Sequence, residues 1–430
     1  MNLNQTADKT LENLSISIGN SSKPLKIKPL STQFRWFPPV FMSRYLRLDG
    51  KAATLPQPPA LFIEGKNKLR RSIRDIVIAK VGECGIVRPT GDLMRKIQFC
   101  FLPFLLAMFA SNSPSSSAGS ATGYLLTANK GEQSLGIIDP QTAKQVATVP
   151  EGGITGHEVI ASPDGRLAYV PIYGNSGVGK PGTDGTNMVV IDLATQKVVG
   201  NVDFGHAVRP HCPVFNPKTG MLYVTTELDK TISVIDPKTL KIVDTVPTGS
   251  EESHMLAISK DGRYGYTANV GPGTVSVLDL HAKKVVKIIP ISKMTQRISL
   301  SPDDKWVFTS DQTKPQLAVI DAKHHEVKSW VELPGLGYGT ASTSDGHWLI
   351  VAVPTVNKVS VIDLKTLKVA RSIDVPKAPQ EVLVRPDDKV AYVSCDSSNQ
   401  IAAINLDDWS VTLIDAGKGT DGLAWASGTH

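Results

Sequence analysis

The sequence predicts an all-β protein, a seven-bladed β-propeller with four-stranded antiparallel blades, closed by its C-terminal strand. A marker of two apolar residues followed by Asp or Asn recurs seven times, and every interval contains short strand-like segments. The polar marker residues are Asp139, Asp192, Asp236, Asp279, Asp321, Asp363 and Asn405, spaced 53, 44, 43, 42, 42 and 42 residues apart. A period near 42 with several strands per unit is typical of propellers.

The third repeat shows the four strands most clearly. They are MLYVTT (221–226), TISVID (231–236), KIVDTV (241–246) and HMLAIS (254–259). Val, Ile, Thr and Tyr dominate them, as half-buried strands require. A lone four-stranded sheet leaves both faces exposed, whereas seven sheets around an axis cover one another.

The two ends of the repeated region predict how the ring closes. The repeats begin at Tyr124 with what should be the second strand of a blade, so this blade lacks an innermost strand. The chain ends with an unassigned strand, residues 422–426. We expect that strand to complete the first blade.

Three segments are predicted along the chain: a doubtful extension (1–93), a secretory signal with a flexible leader (94–121), and the propeller (122–427). Residues 94–96 are Met-Arg-Lys, a 14-residue apolar run to Ala110 follows, and then small polar residues. This is a signal-peptide pattern, too short to span a bilayer. Translation from Met94 is the simplest interpretation; the alternative is a real basic extension with an internal signal anchor.

Charge and cysteine content restrict the class of partner. Residues 1–93 carry 15 Lys+Arg against 7 Asp+Glu, and residues 94–430 carry 31 against 33, so the propeller itself is not basic. We expect no nucleic-acid partner.

Cys212 and Cys395 are isolated and predict buried thiols, not a zinc site or a disulfide framework. The expected product is a periplasmic or extracellular monomer, with no stable membrane span after signal removal.

Several strands resemble a known family. YVTT (223–226), YTAN (266–269), YVSC (392–395), TVSVLDL (274–280) and KVSVIDL (358–364) are similar to the YVTN-repeat propellers of secreted bacterial and archaeal proteins. The resemblance covers residues 122–427 and implies the fold. It leaves function open, because relatives include surface-layer proteins, lactonase-like enzymes and the haem-binding propeller of cytochrome-type nitrite reductases.

Aligning the repeats by their Ser-Pro-Asp-Gly-like turns reveals one polar position at the head of each innermost strand. In a propeller this position lies at the mouth of the central channel. The seven residues are His157, His211, His254, Gln296, Tyr338, Gln380 and Asp421. Three consecutive blades thus contribute histidine.

The three histidines allow several interpretations. Three imidazoles with an open position suit a transition metal such as Zn or Cu. Neutral imidazoles also serve as general bases, and a water-filled channel needs a polar lining in any case. Arg209 and Glu252 stand two residues before their histidines. They are candidate binding residues, although exposed loop charges are the simpler interpretation.

An insertion in the second repeat, residues 173–187, causes the 53-residue spacing. Its loop should emerge on the same face as the histidines. The sequence therefore predicts either a Gly-rich flap over the mouth or a long surface loop without a role.

Three functions remain open. The first is a non-catalytic propeller that binds a small molecule or an envelope protein through the top face of its channel. The second is a lactonase-like hydrolase or lyase at His157, His211 and His254. The third is an accessory to a redox or haem system; covalent haem is excluded because the chain has no CxxCH.

Overall fold

The computed structural model describes residues 122–175 and 177–428, so the expected segments 1–93 and 94–121 lie outside the described residues. The described residues form 28 strands in seven four-stranded sheets, two 3₁₀ turns (Pro354–Val356 and Asp396–Ser398) and no α-helix. All pairings within the sheets are antiparallel. The predicted seven-bladed propeller is confirmed.

The first blades follow the repeats in order. Blade 1 contains β1 (Gly123–Asn129), β2 (Ser134–Asp139), β3 (Lys144–Pro150) and, beside β1, β28 (Thr420–Ser427). Blade 2 contains β4 (Ile160–Ala161), β5 (Leu167–Gly174), β6 (Asp184–Asp192) and β7 (Lys197–Asp203). Blade 3 contains β8 (Pro210–Phe215), β9 (Leu222–Thr226), β10 (Thr231–Asp236) and β11 (Lys241–Pro247).

The remaining blades repeat this order. Blade 4 contains β12 (Ser253–Ile258), β13 (Tyr264–Asn269), β14 (Thr274–Asp279) and β15 (Lys284–Pro290). Blade 5 contains β16 (Thr295–Leu300), β17 (Trp306–Asp311), β18 (Gln316–Asp321) and β19 (Glu326–Glu332). Blade 6 contains β20 (Thr340–Ser342), β21 (Trp348–Val353), β22 (Lys358–Asp363) and β23 (Lys368–Asp374). Blade 7 contains β24 (Pro379–Val384), β25 (Val390–Cys395), β26 (Gln400–Asn405) and β27 (Val411–Asp415).

The hydrophobic core lies between neighbouring blades. One cluster joins Tyr223 of blade 3 to Met255 and Tyr266 of blade 4 and to Val307 of blade 5. The two middle strands of each blade are buried on both faces, whereas the outermost strands alternate between exposed and partly buried residues. Each sheet therefore depends on its neighbours for the burial of its apolar faces.

The ring closes as the sequence predicts. β28 pairs with β1 through Leu125↔Trp425 and Leu126↔Ala424, which gives blade 1 its innermost strand. Residues from the two ends of the propeller thus share one sheet.

The repeated marker residues stabilise turns. Asp139 accepts the backbone N–H of Gln141 at 2.8 Å, and Asp236 accepts that of Lys238 at 2.9 Å. This side-chain capping of the next turn explains why each blade carries the residue. Cys212 and Cys395 are free and buried, as expected.

Candidate functional site

The mouth of the channel is formed where the innermost strands begin and the second strands end. In four blades the register places these points side by side: Pro210↔Thr226, Ser253↔Asn269, Thr295↔Asp311 and Pro379↔Cys395. The register of each innermost strand shifts within the next residues. Such bulges change the direction in which side chains point. In blade 5, for example, the successive residues Gln296 and Arg297 both contact residues of other blades at the mouth.

The structure brings the three predicted histidines together. The rings of His211 and His254 stack with centroids 3.6 Å apart, and His157 meets His211 edge-on at 5.8 Å. The ring of Tyr173 lies 4.8 to 5.5 Å from all three. We call these four side chains the histidine patch. His211 and His254 are buried, whereas His157 is half-buried.

Burial keeps the three imidazoles neutral. Loss of solvent lowers the pKa of His157 to about 3, and it also lowers the pKa values of His211 and His254. Neighbouring positive charges act in the same direction, because a second cation is unfavourable there. At neutral pH the patch therefore offers nitrogen lone pairs, not positive charge.

Glu227 anchors one side of the patch. It directly follows β9 and is 3% exposed. Its carboxylate accepts hydrogen bonds from Tyr173 Oη (2.8 Å) and Arg209 Nη1 (3.4 Å), and it lies 3.2 Å from His254 Nδ1. Burial raises the pKa of Glu227, but the hydrogen bonds from His254 and Tyr173 outweigh it, so the net pKa is lowered. Glu227 is therefore ionised.

Arg209 is not an exposed loop charge, so the simpler interpretation of that residue is wrong. It is 4% exposed, and its Nε donates to Asp184 Oδ1 at 2.6 Å. Its guanidinium also donates to the carbonyl of Lys180, at 2.5 Å. Arg209 turns inward because the insertion of blade 2 supplies hydrogen-bond acceptors for its guanidinium. Glu252 is half-buried and accepts the backbone N–H of Gly271 at 2.7 Å.

The insertion of blade 2 lies against the mouth. Besides the contacts of Lys180 and Asp184 with Arg209, Gly179 packs against Glu252: a Cβ on Gly179 would lie 2.4 Å from Glu252 Oε1. Gly179 also has a φ of +64°, which favours glycine. The loop thus contacts both charged residues that precede the histidines of blades 3 and 4.

The other predicted mouth residues belong to the innermost strands or strand heads of blades 1, 5, 6 and 7. Gln296 Nε2 donates to Tyr338 Oη at 3.3 Å. Asp421 is buried and pairs with Lys130 Nζ at 3.0 Å. Gln380 lies in β24 and is half-buried.

Arg297 joins the blades across the channel, and sequence reasoning missed it. It is 3% exposed and contacts Glu158 and Glu381 at 2.5 Å each and Asp421 at 3.2 Å. These four residues, the Arg297 cluster, come from blades 1, 2, 5 and 7. Burial raises the pKa values of Glu158 and Glu381 despite the guanidinium, so this cluster holds protons to higher pH than exposed carboxylates do.

Two columns of the repeat contain the functional residues that were missed. The first directly follows the predicted histidine column and contains Glu158, Arg297 and Glu381. The second directly follows the four-residue YVTN-type motif of each repeat and contains Lys130, Tyr173, Glu227 and Asp396. A search of every column for charged residues next to apolar strands would have found both.

The Zn or Cu site that the sequence suggests receives no support. No group of three or more His, Cys, Asp or Glu side chains between residues 122 and 428, Ser176 aside, is arranged to hold a metal ion. The physical reason is the stacking of His211 on His254 with planes 29° apart. Ring-nitrogen lone pairs lie in the ring plane, so stacked imidazoles do not point at a shared ion between them.

The fold and this mouth define the class of the protein, a seven-bladed propeller with a patch of neutral imidazoles at its channel mouth. The Arg297 cluster of ion pairs lies on or beside the innermost strands close to the same mouth. Residues 217–427 match the Cytochrome D1 heme domain family. This propeller is therefore similar to D1 haem domains; membership of the YVTN family is not confirmed.

Three solved structures share the fold of this chain. Hydrazine synthase from Kuenenia stuttgartiensis aligns with a TM-score of 0.54 and 19% identity, over 68% of this chain and 92% of that one. Dihydro-heme d1 dehydrogenase NirN, in complex with DHE, aligns at 0.53 and 16%, over 72% and 77%. A functionally unknown protein from Desulfotomaculum acetoxidans DSM 771 aligns at 0.60 and 13%, over 72% and 100%. At these identities the likeness establishes the fold.

No curated protein sequence matches the chain. Among residues 122–175 and 177–428, no helix is long and apolar enough to cross a bilayer.

Proposed function

We propose that this propeller binds a haem-type tetrapyrrole non-covalently at its channel mouth. The observation that carries the proposal is the histidine patch: three neutral imidazoles and one phenol packed together, of which His157 is half-buried and the others are buried. The match to the Cytochrome D1 heme domain family supports the same ligand class.

The donor chemistry of the patch fits a haem iron. Histidine is a common axial ligand of haem, and an imidazole must be neutral to coordinate a metal. His211 Nδ1 is buried without a hydrogen-bond partner. The patch therefore contains a polar atom that a polar group of a ligand, apart from the iron, would satisfy. Lys130, whose side chain is 26% exposed, is a cation suited to the carboxylates of a tetrapyrrole, although Asp396 and Asp421 already pair with it.

Different residues of the mouth would contact different parts of a bound tetrapyrrole. The histidine patch would provide the iron ligand, and the half-buried rings of His157 and Tyr338 would provide flat contact surfaces. A bound tetrapyrrole would supply iron-centred redox chemistry. The Arg297 cluster joins the innermost strands or strand heads of four blades close to the mouth, and the ligand would enter from the mouth.

We further propose that the protein acts in the periplasm or outside the cell. The signal pattern of residues 94–121 supports export. The same face would then be available to an envelope partner, and the chain would work as a monomer.

A hydrolase or lyase related to the lactonase-like propellers is the second candidate. The contact of Glu227 with His254 Nδ1 favours it, because a carboxylate–histidine pair orients a general base. A panel of lactones tests this activity. Turnover that is lost in His254→Ala would support an enzyme, and absence of turnover on the panel would leave binding alone.

Haem titration of residues 122–430 tests the principal proposal. We expect saturable 1:1 binding with a shift of the Soret band, weakened by His157→Ala, His211→Ala or His254→Ala. His324→Ala is the matched control, because His324 is an exposed histidine in a turn of blade 5. A shift that is equally sensitive to His324→Ala would reflect surface binding and contradict the proposal.

A further inference from the structure

Glu227 is unusual in its column for its burial. The other charged residues of the column, Lys130 and Asp396, have side chains that are 26% and 29% exposed. A buried carboxylate costs several kcal/mol unless it is well hydrogen-bonded. Glu227 is 3% exposed and contacts three polar side chains. Hydrogen bonds from Tyr173 and Arg209 and the contact with His254 compensate the desolvation of the Glu227 carboxylate.

The contact with Glu227 determines which nitrogen of His254 carries the proton. An ionised carboxylate only accepts hydrogen bonds, so the ring nitrogen 3.2 Å away, Nδ1, must donate. Because the ring is neutral, the lone pair then lies on Nε2. Hydrogen bonds from Tyr173 and Arg209 hold the carboxylate in place. The stacked ring of His211, 3.6 Å away, fixes the plane of His254.

His254 differs from the other two histidines in this respect. Within the described part of the chain, no carboxylate contacts a ring nitrogen of His157 or His211. The buried Nδ1 of His211 has no partner at all. Metal-binding histidines in proteins almost always donate their second ring N–H to a carboxylate, a carbonyl or water, and this contact raises ligand basicity.

We infer that Glu227 is a positioning residue that holds His254 as the Nδ1–H tautomer and thereby makes His254 Nε2, not a nitrogen of His157 or His211, the ligand of the haem iron. The choice of His254 rests on the proposed haem binding. The assignment of the tautomer does not depend on it.

The tautomer is measured without any ligand. ¹⁵N spectra of histidine-labelled protein, with the His254 signals identified by their loss in His254→Ala, should show a protonated Nδ1 and an unprotonated Nε2 at pH 7. In Glu227→Gln this preference should disappear. The matched control is Glu151→Gln, which makes the same change at a buried carboxylate that has no contact with the patch. A protonated Nε2 in the wild type would overturn the inference.

The role of Glu227 in ligation is measured on the haem complex. We expect Glu227→Gln to weaken haem binding on the order of 10- to 100-fold, as loss of such outer partners typically does, and to raise the midpoint potential. Tyr173→Phe keeps the ring contacts but removes one donor from the carboxylate, so the contact with His254 strengthens and the potential should fall. Two variants with opposite shifts distinguish positioning from general disruption of the mouth.

The outcomes separate the two proposals. If the wild type binds no haem, the proposed function is wrong, and the ¹⁵N spectra still decide the tautomer. If haem binds but Glu227→Gln leaves affinity, potential and tautomer unchanged, the inference is wrong and the proposed function stands. Tyr173→Phe supplies the decisive data if Glu227→Gln fails to fold.

Discussion

At the scale of single residues, buried charge explains both stability and site chemistry. Arg297 donates hydrogen bonds to carboxyl groups from three other blades, separated from it by 84 to 139 residues in sequence. A buried charge that loses its partner is far more destabilising than the pair is stabilising. Arg297 therefore holds the strand heads of blades 1, 2, 5 and 7 together.

Replacement of Arg297 by methionine should be severely destabilising. Three buried carboxylates would lose their shared partner, so we expect the free energy of unfolding at pH 7 to fall by about 3 to 5 kcal/mol. Arg297→Lys should recover only part of this loss, because an ammonium lacks the fork of the guanidinium. Urea unfolding measures both. A loss below about 1 kcal/mol for Arg297→Met, the size expected for an exposed ion pair, would contradict this account of the cluster.

Glu151 should make stability depend on pH. It is 1% exposed, its Oε2 accepts the N–H of Gly156 at 2.8 Å, and its Oε1 has no partner. Burial raises its pKa from 4.5 to about 7. The folded state then holds a proton that the unfolded chain releases above its lower pKa. Stability should fall by about 3 kcal/mol as the pH rises between these two values, and this contribution should be constant above the higher one.

Glu151→Gln should remove this contribution, because the amide does not titrate and still accepts the N–H of Gly156. Urea unfolding of both proteins between pH 4.5 and 8 gives the comparison. The difference in unfolding free energy should grow with pH in favour of the variant. Parallel curves for the two proteins would show that Glu151 does not titrate in this range.

At the scale of elements, the heads of the innermost strands and the insertion form the site. Arg209 and Glu252 both adopt left-handed backbone angles, with φ of 50°, just before the histidines of their strands. The sequence predicts the strands, the mouth and the insertion because these follow from periodicity. It does not predict that Arg209 turns inward, or that Tyr173 and Glu227 join the histidines, because those contacts depend on bulges and on a loop from another blade.

Shortening the insertion tests its contact with the mouth. Asn175 and Thr183 face each other, with Asn175 N donating to Thr183 O at 3.2 Å and Thr183 N donating to Asn175 Oδ1 at 2.8 Å. Replacing residues 177–182 by Gly-Gly should therefore leave the fold intact. Arg209 loses the carbonyl acceptors of Gly177 and Lys180 but keeps Asp184 and Glu227. We therefore expect a loss of about 1 to 2 kcal/mol in the free energy of unfolding.

The same variant should bind haem with a several-fold faster association rate, because Gly179 and Lys180, which contact Glu252 and Arg209 at the mouth, are gone. Stopped-flow absorbance measures the rate. An unchanged association rate in a folded variant would show that the insertion does not lie on the route of entry.

At the scale of the whole molecule, closure of the ring unites both ends of the propeller. The sequence predicts this closure from the missing first strand and the unassigned last one. The Arg297 cluster adds a second connection, which no repeat pattern predicts, since the column that contains Glu158, Arg297 and Glu381 holds Cys, Met or Gly in the other blades. Asp421 belongs to both connections, because it lies in β28 and pairs with Lys130 and Arg297.

Removal of the closing strand should abolish cooperative folding. Deleting residues 420–430 exposes β1 as an unpaired edge and removes Asp421, so we expect aggregation and loss of the sharp thermal transition. Deleting only residues 428–430 is the control and should leave the transition unchanged. Asp421→Asn separates the loss of the carboxylate from the loss of the strand. A truncated chain that melts like the wild type would contradict the role of β28.

The central claim, that the histidine patch binds a haem-type tetrapyrrole, is tested most directly by one comparison. Equilibrium haem titration is carried out on the wild type and on the triple variant His157→Ala/His211→Ala/His254→Ala, with folding of both confirmed by circular dichroism. We predict a saturable 1:1 Soret shift in the wild type and none in the variant, which keeps the other six histidines of the chain: His206, His281, His324, His325, His347 and His430. The same shift in both proteins, or no shift in the wild type, would contradict the account.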